Sequence, residues 1–348
     1  MRMFAGLDIG GKRTAICVID ESGKAIWRGT VDTHPQMIDG ALQRFKGSLD
    51  KVGLESGPFT PHLFRSLEAI GYPMICMDAR RAADAIKSRR IKSDKGDAWA
   101  LAEMLRTGWF SSVYVKSVDT HRLKALLGAR DQLVKLKRSL GNQVRGLLRP
   151  FGIRLPSRAG RKKFDEAAYL ATQKDSILHA AVRALLESLA SIEGQQARLD
   201  DELDELAKRN EIAWRLMSVP GVGRITALAY MAAIENVDRF RRTRDIGAYL
   251  GLTERRYQSA ETDVGMGISK QGDAMARHYL YEAANVLLTT VKKRFALRNW
   301  GLKLIKTIGP KRARVAVARK LAVLLGRMWK DGAHFEAVVA ACVRWVVQ

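Results

Sequence analysis

The first 86 residues alternate short apolar runs with polar turns, a pattern typical of a mixed α/β domain. Glycine, serine and charged residues separate the runs, and apolar residues at helical spacing fill three of the intervening segments. This alternation predicts a mixed sheet flanked by helices. The predicted strands are 4–7, 14–18, 25–31, 52–54 and 73–77, and the predicted helices are 35–49, 61–70 and 79–86.

Beyond residue 120 the pattern becomes helical. Apolar residues recur every three or four positions over 120–148, and Pro150 ends that helix. The segment 151–163 then combines basic residues with proline, serine and glycine. It predicts either a mobile basic loop that lies along phosphates or a plain linker.

A heptad seam follows over 178–210, where apolar positions alternate at spacings of four and three. Two polar residues, Gln196 and Asn210, occupy seam positions, as register-fixing residues do in coiled coils. The seam predicts a long helical arm, closed either by the helix 120–148 of the same chain or by a second chain, and we favour the dimer. The seam positions are Leu178, Val182, Leu185, Leu189, Ile192, Gln196, Leu199, Leu203, Leu206 and Asn210.

Residues 214–234 have the pattern of two helices joined by the turn Pro220-Gly221-Val222-Gly223. This pattern predicts a helix-hairpin-helix, whose glycine turn and helix N-terminus donate backbone amides to a DNA phosphate. A plain tight helical turn is the alternative. A polar stretch over 253–273 follows, and helices are predicted over 274–292, 313–330 and 334–347, so the C-terminal part is mainly α.

The net charge of the chain favours one class of binding partner over another. The 348 residues include 60 lysines and arginines against 36 acids, a formal net charge of +24, which favours nucleic acid as the partner. A membrane surface is disfavoured because the basic residues are not confined to one amphipathic helix, and no apolar run has the length of a bilayer span. Cys17, Cys76 and Cys342 lack paired spacing, and an acid already stands at position 8, too early for a secretory signal, so a cytoplasmic protein is expected.

Four acids are candidates for a metal site. Asp94 and Asp97 stand three apart at the start of a helical pattern, so both project from its first turn, and a divalent cation would relieve their repulsion. The alternative is a helix cap with a solvated second aspartate. Asp8 and Glu55 each end an apolar strand beside glycine or serine. Acids on three separate elements suit a two-metal site, which clamps the attacking and leaving oxygens of a phosphodiester displacement.

Three motifs resemble the DEDD transposases of the insertion-sequence 110 family, relatives of the Piv-type DNA invertases. They are Gly6-Leu7-Asp8-Ile9-Gly10, Leu54-Glu55-Ser56-Gly57 and Lys92-Ser93-Asp94-Lys95-Gly96-Asp97-Ala98. The resemblance implies an α/β RNase H-like (RuvC-like) N-terminal domain with an acidic tetrad on Asp8, Glu55, Asp94 and Asp97. The tetrad would bind Mg²⁺ or Mn²⁺.

The stretch Gly265-Met266-Gly267-Ile268-Ser269-Lys270-Gln271-Gly272-Asp273 resembles the C-terminal domain of the same family, in which a catalytic serine precedes this motif. That serine falls on Ser259, with Ser269 as the alternative, although the family more often has Ser-Ser-Gly where this chain has Gln258-Ser259-Ala260. A serine hydroxyl is a poor nucleophile unless a base or a metal ion activates it. No histidine lies nearby in the sequence to act as that base. Arg255 and Arg256 could stabilise phosphate charge.

The resemblance spans nearly the whole chain and implies three domains. These are a RuvC-like domain (1–118), a helical arm with the basic loop (119–212) and a C-terminal transposase domain with the serine (213–348). The expected enzyme cuts and rejoins double-stranded DNA at element ends and target, through a serine–DNA intermediate and a structured bridge RNA, as a homodimer or dimer of dimers. The expected nucleic-acid contacts are Arg158, Arg161, Lys162, Lys163, Gly221, Gly223, Arg224, Arg255, Arg256 and Lys270.

Three other classes remain as alternatives. A RuvC-like nuclease or Holliday-junction resolvase would use water as the nucleophile and form no protein–DNA adduct. A non-enzymatic nucleic-acid-binding protein is disfavoured because all four acids are present. An actin-like kinase would account for Asp8 beside its glycines but not for the charge or the C-terminal half.

Overall fold

The computed structural model describes residues 1–80, 94–157, 160–259 and 262–335, with the backbone alone at 94–95, 256–259 and 262–264. The chain divides into two compact units, 1–117 and 118–348. The division of the second unit into an arm and a C-terminal domain stays a prediction.

A five-stranded mixed sheet with the order β3-β2-β1-β4-β5 is the centre of the first unit. β2 is antiparallel to both β1 and β3, whereas β4 runs parallel to β1 and to β5. The strands are β1 (Met3–Ile9), β2 (Arg13–Ile19), β3 (Ala25–Asp32), β4 (Leu49–Glu55) and β5 (Met74–Met77). The predicted mixed sheet is therefore confirmed.

Helices cover both faces of this sheet. They are α1 (Pro35–Leu42), α2 (Thr60–Ala69) and α3 (Asp94–Thr107). Leu7 of β1 packs in one cluster with Ile38 of α1 and Leu63 of α2, whereas Phe4 packs in another with Leu101 of α3. Odd and even positions of β1 thus face different helices, as the alternation of side chains along a strand requires.

One predicted helix of the first unit ends earlier than expected, and most of another lies outside the described residues. The predicted helix 35–49 is wrong after residue 42, where a 3-10 helix (Gln43–Ser48) follows and Leu49 begins β4. Leu49 and Val52 are buried in the sheet core, so that packing overrides the helical pattern. Most of the predicted helix 79–86 (residues 81–86) lies outside the described residues.

Two glycines let α3 lie directly on the sheet. A Cβ atom at Gly6 would stand 2.1 Å from the carbonyl oxygen of Ala98 and 2.5 Å from the amide nitrogen of Ala102. On the adjacent strand, a Cβ at Gly53 would stand 2.7 Å from the Leu105 side chain. The two glycines are register partners, so both face α3 and set its distance from β1 and β4.

Within the described residues, the second unit is mainly helical and contains a two-stranded hairpin. Its helices are α4 (Val118–Leu148), α5 (Arg161–Thr172), α6 (Ser176–Arg209), α7 (Glu211–Met217), α8 (Arg224–Ile234), α9 (Asp245–Tyr249), α10 (Ala274–Thr289), α11 (Ala296–Ile308) and α12 (Pro310–Asp331). The hairpin consists of β6 (Glu254–Ser259) and β7 (Thr262–Ile268). The core surrounds α8, whose residues 226–234 are all buried. Residues 336–347 of the predicted last helix lie outside the described residues.

The long helices α4 and α6 pack as an antiparallel pair. Arg130 of α4 donates to the carboxylate of Asp200 at 2.6 Å, and Lys137 pairs with Glu193 at 3.0 Å, so later residues of α4 meet earlier residues of α6. Val144 at the end of α4 packs in one cluster with the start of α6. Along this pair, α4 of the same chain therefore covers the seam of α6, and the coiled-coil arm stays a prediction.

The heptad seam is only partly the predicted one. Leu178, Val182, Leu189 and Leu203 are buried, but Leu206 is 43% exposed and Ala207 is buried in its place. Asn210 lies beyond α6, where its side chain caps α7 by accepting hydrogen bonds from two backbone amides. Since α4 covers the seam, the seam no longer argues for a second chain, and the dimer stays a prediction.

Among the helices of the described ranges, none combines the length and apolar composition needed to cross a membrane.

Candidate functional site

Asp8 and Glu55 lie side by side at the carboxyl ends of two parallel strands. Leu7 of β1 is the register partner of Leu54 of β4, and each acid is the next residue along its strand. The glycines that contact α3 precede the two acids by two positions. Because side chains alternate along a strand, both acids stand on the face of the sheet that α3 covers.

The start of α3 lies towards these two acids. Arg106, near the end of the helix, donates to the carbonyl oxygen of Glu21 at the opposite edge of the sheet, while Ala98 meets Gly6. The first turn, which begins at Asp94 and contains Asp97, therefore points to the carboxyl ends of the strands. Asp97 is half-buried, and the side chain of Asp94 is outside the described part.

A fifth carboxylate, Asp78, stands at the same edge of the sheet. Met77 of β5 is the register partner of Glu55, and Asp78 is the next residue. Its backbone amide donates to the carbonyl oxygen of Ser111, and its carboxylate accepts from the amide of Arg80 at 2.9 Å. The signal was available in the sequence, because Asp78 directly follows the apolar run 73–77 just as Asp8 and Glu55 follow theirs.

The acids at this edge suit a hard divalent cation. Two carboxylates at neighbouring strand ends repel each other, and oxygen ligands are those that Mg²⁺ and Mn²⁺ prefer. Within the side chains that the structure describes, no group of three or more acids, histidines or cysteines is arranged to hold a metal ion. The side chain of Asp94 is not among them.

Ser259 is the last residue of β6, beside the tip of the β6–β7 hairpin. It pairs in register with Thr262, the first residue of β7, and only its backbone is described. The sequence predicts a polar stretch between helices here, whereas the structure has two strands. The family motif residues continue β7 into the loop that follows it.

Two glycines lock that loop to the one before the hairpin. A Cβ at Gly251 would stand 2.0 Å from the carbonyl oxygen of Gln271, and a Cβ at Gly272 would stand 2.1 Å from that of Tyr249. Both glycines have positive φ angles, 69° and 88°. The two loops therefore interlock at the base of the hairpin, which fixes the direction in which β6 and β7 leave the helical core.

Ser269 and Lys270 belong to this interlocked base. The Ser269 amide donates to the carbonyl oxygen of Thr253 at 2.8 Å, and that of Lys270 donates to Gly251 at 3.1 Å. Lys270 has a φ of 54°, a left-handed conformation that is uncommon outside glycine. Its side chain is exposed, so it remains a candidate phosphate contact, as does exposed Arg255 on β6.

The turn before α8 has two different glycines. Gly221, with a φ of 93°, packs on α10, since a Cβ there would stand 2.8 Å from the carbonyl oxygen of Ala283. Gly221 therefore has a packing role, and its contact with DNA stays a prediction. Gly223 is exposed and precedes the first turn of α8. The helix-hairpin-helix also stays a prediction.

Two predicted phosphate ligands are used inside the protein. Arg161 begins α5 rather than lying in a loop, and it bonds Asp165 at 2.6 Å and Glu193 at 2.7 Å. Arg224 contacts Asp204 of α6 at 2.5 Å. Both guanidinium groups thus have carboxylate neighbours within the protein, and their role as phosphate contacts stays a prediction.

The remaining predicted contacts have mixed outcomes. Lys162 and Lys163 lie exposed in the first turn of α5, so they stay predictions. Arg158 lies outside the described residues, and Arg256 is described by its backbone alone, within β6.

Family models match parts of both units of the chain. A DEDD transposase model of IS110 elements, described as "Transposase", matches residues 5–152. A model described as "Transposase IS116/IS110/IS902 family" matches residues 213–298. The first match contains the acids at the sheet edge, and the second contains the hairpin with Ser259.

Curated relatives cover most of the chain. The transposase for insertion sequence element IS1111A of Coxiella burnetii is 32% identical over 326 residues, 92% of this chain and 87% of the relative. The transposase for insertion sequence element IS1328 of Yersinia enterocolitica is 27% identical over 244 residues, 68% of this chain and 70% of the relative.

Acids at the ends of parallel strands in a five-stranded mixed sheet are compatible with an RNase H-like DEDD domain, a class of nucleic-acid-processing enzymes. The chain belongs to the IS110 family of transposases, because both family models match and a relative at 32% identity covers nearly its whole length. It is therefore an enzyme of DNA transposition. Membership of this family implies dependence on a divalent metal ion.

Proposed function

We propose that this transposase cuts and rejoins the DNA strands of its insertion sequence through a covalent bond to Ser259. The Ser259 oxygen attacks a phosphodiester phosphorus, the bond from phosphorus to one deoxyribose oxygen breaks, and that oxygen leaves with a proton. A deoxyribose hydroxyl of another strand later attacks the phosphoserine and releases the serine. Each step exchanges one phosphate ester for another, so no ATP is required.

The observation that carries this proposal is the placement of Asp8 and Glu55 beside each other, below the start of α3. Asp8, Glu55, Asp94 and Asp97 would hold Mg²⁺ or Mn²⁺. A bound cation of this kind supplies Lewis acidity that offsets charge on the phosphate oxygens. Exposed Arg255, on the same strand as Ser259, would add positive charge near the phosphate.

Choice of DNA sites by a structured bridge RNA is part of the same proposal. A net charge of +24 supports binding of more than one nucleic acid strand. We also propose a dimer or dimer of dimers, with the acids of one chain facing the serine of another. The family resemblance is the support for both statements.

A trapping assay tests the chemistry. The purified protein is incubated with element-end DNA, flanking RNA and Mg²⁺, then run on a denaturing gel beside Ser259→Ala, Ser269→Ala and Asp94→Ala variants. We expect a protein–DNA adduct that persists in Ser269→Ala and is absent from the other two variants.

The other outcomes of this assay are equally specific. An adduct lost only in Ser269→Ala would move the nucleophile to that residue. Cleavage that survives both serine substitutions without an adduct would replace the proposal by a nuclease or junction resolvase that uses water. Adduct formation without added RNA would refute guidance by RNA.

A further inference from the structure

A large basic groove runs through the second unit, along α12. Its volume is about 1530 Å³, and residues 241–244, α11, α12 and the strands of the hairpin line it. The groove shares Glu254 and residues 265–268 with the hairpin that carries Ser259.

The face of α12 in this groove alternates charge with apolar surface. Basic pairs at 311–312 and 319–320, together with Arg327, are separated by apolar or small pairs at 315–316 and 323–324. Successive groups are four residues apart, about 6 Å along the helix axis, and all of them line the groove. The stripe therefore offers cations and apolar surface in turn over five such groups.

The positive charge of the groove is only weakly compensated. Among the described residues, nine lysines and arginines line it, against the two carboxylates of Glu254 and Asp331. Asp331 pairs with Arg327 at 3.4 Å, and Arg242 pairs with Asp245 at 3.2 Å. The excess of positive charge favours a polyanion as occupant.

The floor of the groove is apolar and contains an aromatic ring. Trp300 of α11 is half-buried there, with the ammonium of Lys320 4.6 Å from its ring centroid. Met266 of β7 is 46% exposed and Leu324 of α12 is half-buried, and both line the same groove. An occupant that met only the cations of the rim would leave this apolar surface in water.

We propose that this groove binds an unpaired DNA strand, with its phosphates on the cations and its bases on the apolar floor. A duplex stacks its bases inside and presents phosphates outside, so it cannot cover such a floor. An unpaired strand exposes the faces of its bases, which stack on aromatic side chains. The strand would leave the groove along the hairpin, towards Ser259.

This inference deepens the proposed function, on which it rests for the choice of DNA over other polyanions. Strand exchange requires strands that have left their original duplex. A groove at the hairpin would hold such a strand while the serine oxygen or a new hydroxyl attacks.

Fluorescence anisotropy of the full-length protein with a labelled 15-nucleotide oligothymidylate tests the proposal, in EDTA and about 0.1 M salt. A double variant, Lys311→Ala with Arg312→Ala, removes two exposed groove cations. Its matched control, Lys303→Ala with Lys306→Ala, removes two exposed cations of α11 that do not line the groove. We expect Kd to rise at least about tenfold in the groove variant and less than twofold in the control.

The salt dependence gives an independent number. Each lost phosphate contact lowers the slope of log Kd against log salt by about 0.7 for a single strand, so the groove variant should lose about 1.4. Trp300→Ala should weaken binding on the order of tenfold without changing this slope, and Trp300→Phe should restore most of it. Thermal unfolding of each variant verifies that the protein is folded.

Several results would overturn the inference. They are equal losses in the groove variant and its control, tighter binding of a 15-base-pair duplex than of the single strand, and tighter binding of oligouridylate than of oligothymidylate. Because binding is measured without Mg²⁺, loss of the adduct with groove-dependent binding intact refutes only the serine chemistry. Adduct formation without groove-dependent binding refutes only the groove.

Discussion

The contact of Gly6 with α3 allows a quantitative test of how the acidic edge is assembled. In a Gly6→Ala protein the new Cβ would begin 2.1 Å from the Ala98 oxygen, whereas ordinary contact starts at 3.4 Å. The two nearest atoms, this oxygen and the Ala102 nitrogen, are backbone, and the third is the Cβ of Leu101, which no rotamer change can move away. The helix and strand must separate by the difference, about 1.3 Å.

Two effects of this separation are expected. Overpacking of this kind costs about 1–3 kcal/mol of stability. The movement also shifts Asp94 and Asp97 relative to Asp8, and a misplacement of about 1 Å lowers catalysis about 100-fold. Gly6→Ala should therefore form adduct about 100 times more slowly than wild type at a temperature where it is fully folded.

Hydrogen–deuterium exchange of the full chain measures the first effect locally. Peptides covering 3–9 and 98–107 should exchange about 5- to 150-fold faster, the factor that corresponds to 1–3 kcal/mol. Gly40→Ala in α1 is the matched control, because a Cβ there meets nothing within 4 Å. It should leave both peptides unchanged or slower. Equal exchange in Gly6→Ala and wild type would refute direct packing of α3 on β1.

Three further predictions concern other parts of the structure. Gly251→Ala should lower stability by about 2–4 kcal/mol, because a left-handed residue gains a Cβ against backbone, whereas Gly267→Ala should not change the melting temperature. Burial raises the pKa of the Asp200 carboxyl, but the hydrogen bond and charge of Arg130 outweigh it, so the folded pKa lies below the unfolded one. The stabilisation is then complete above about pH 4 and is lost as the pH falls through the folded pKa. Urea unfolding should therefore show that Asp200→Asn lowers the free energy of unfolding by about 1–3 kcal/mol at pH 7 and by progressively less in acid. Burial and a neighbouring carboxylate raise the pKa of Cys76 to about 11, so iodoacetamide at pH 8 should label it only in urea, and rapid labelling of the native protein would contradict its buried position.

Asp8 and Glu55 could be predicted as candidate metal ligands because each stands where an apolar strand pattern ends. Asp8 and Glu55 each interrupt an apolar run, which shows that a strand stops and that an acid follows. Their register depends on the order β2-β1-β4, which brings β4 beside β1 across a helical crossover. Local patterns do not contain that order, so the adjacency of the two acids became visible only in the sheet.

Other features could not be predicted for different physical reasons. A heptad seam has the same period whether its partner is α4 or a second chain, so it left the choice open. The hairpin with Ser259 has no continuous apolar face, and polar two-stranded ribbons give little signal. The ion pair of Arg161, by contrast, could have been predicted from the sequence. Asp165 lies four residues later, the spacing of a helical ion pair, but the segment was interpreted as a loop because of its many basic residues.

The middle of the α4–α6 pair differs from its two ends in the contacts that stabilise it. Buried leucines of α6 stop at Leu189 and resume at Leu203, and the interval between them holds ion pairs through Glu193 and Asp200. That interval is about 20 Å long, and its contacts are ion pairs rather than buried leucines. Rising salt would therefore weaken the contacts of this interval more than those of the leucine-packed stretches on either side. The stability of the middle of the pair thus depends on ionic strength more than the stability of its two ends does.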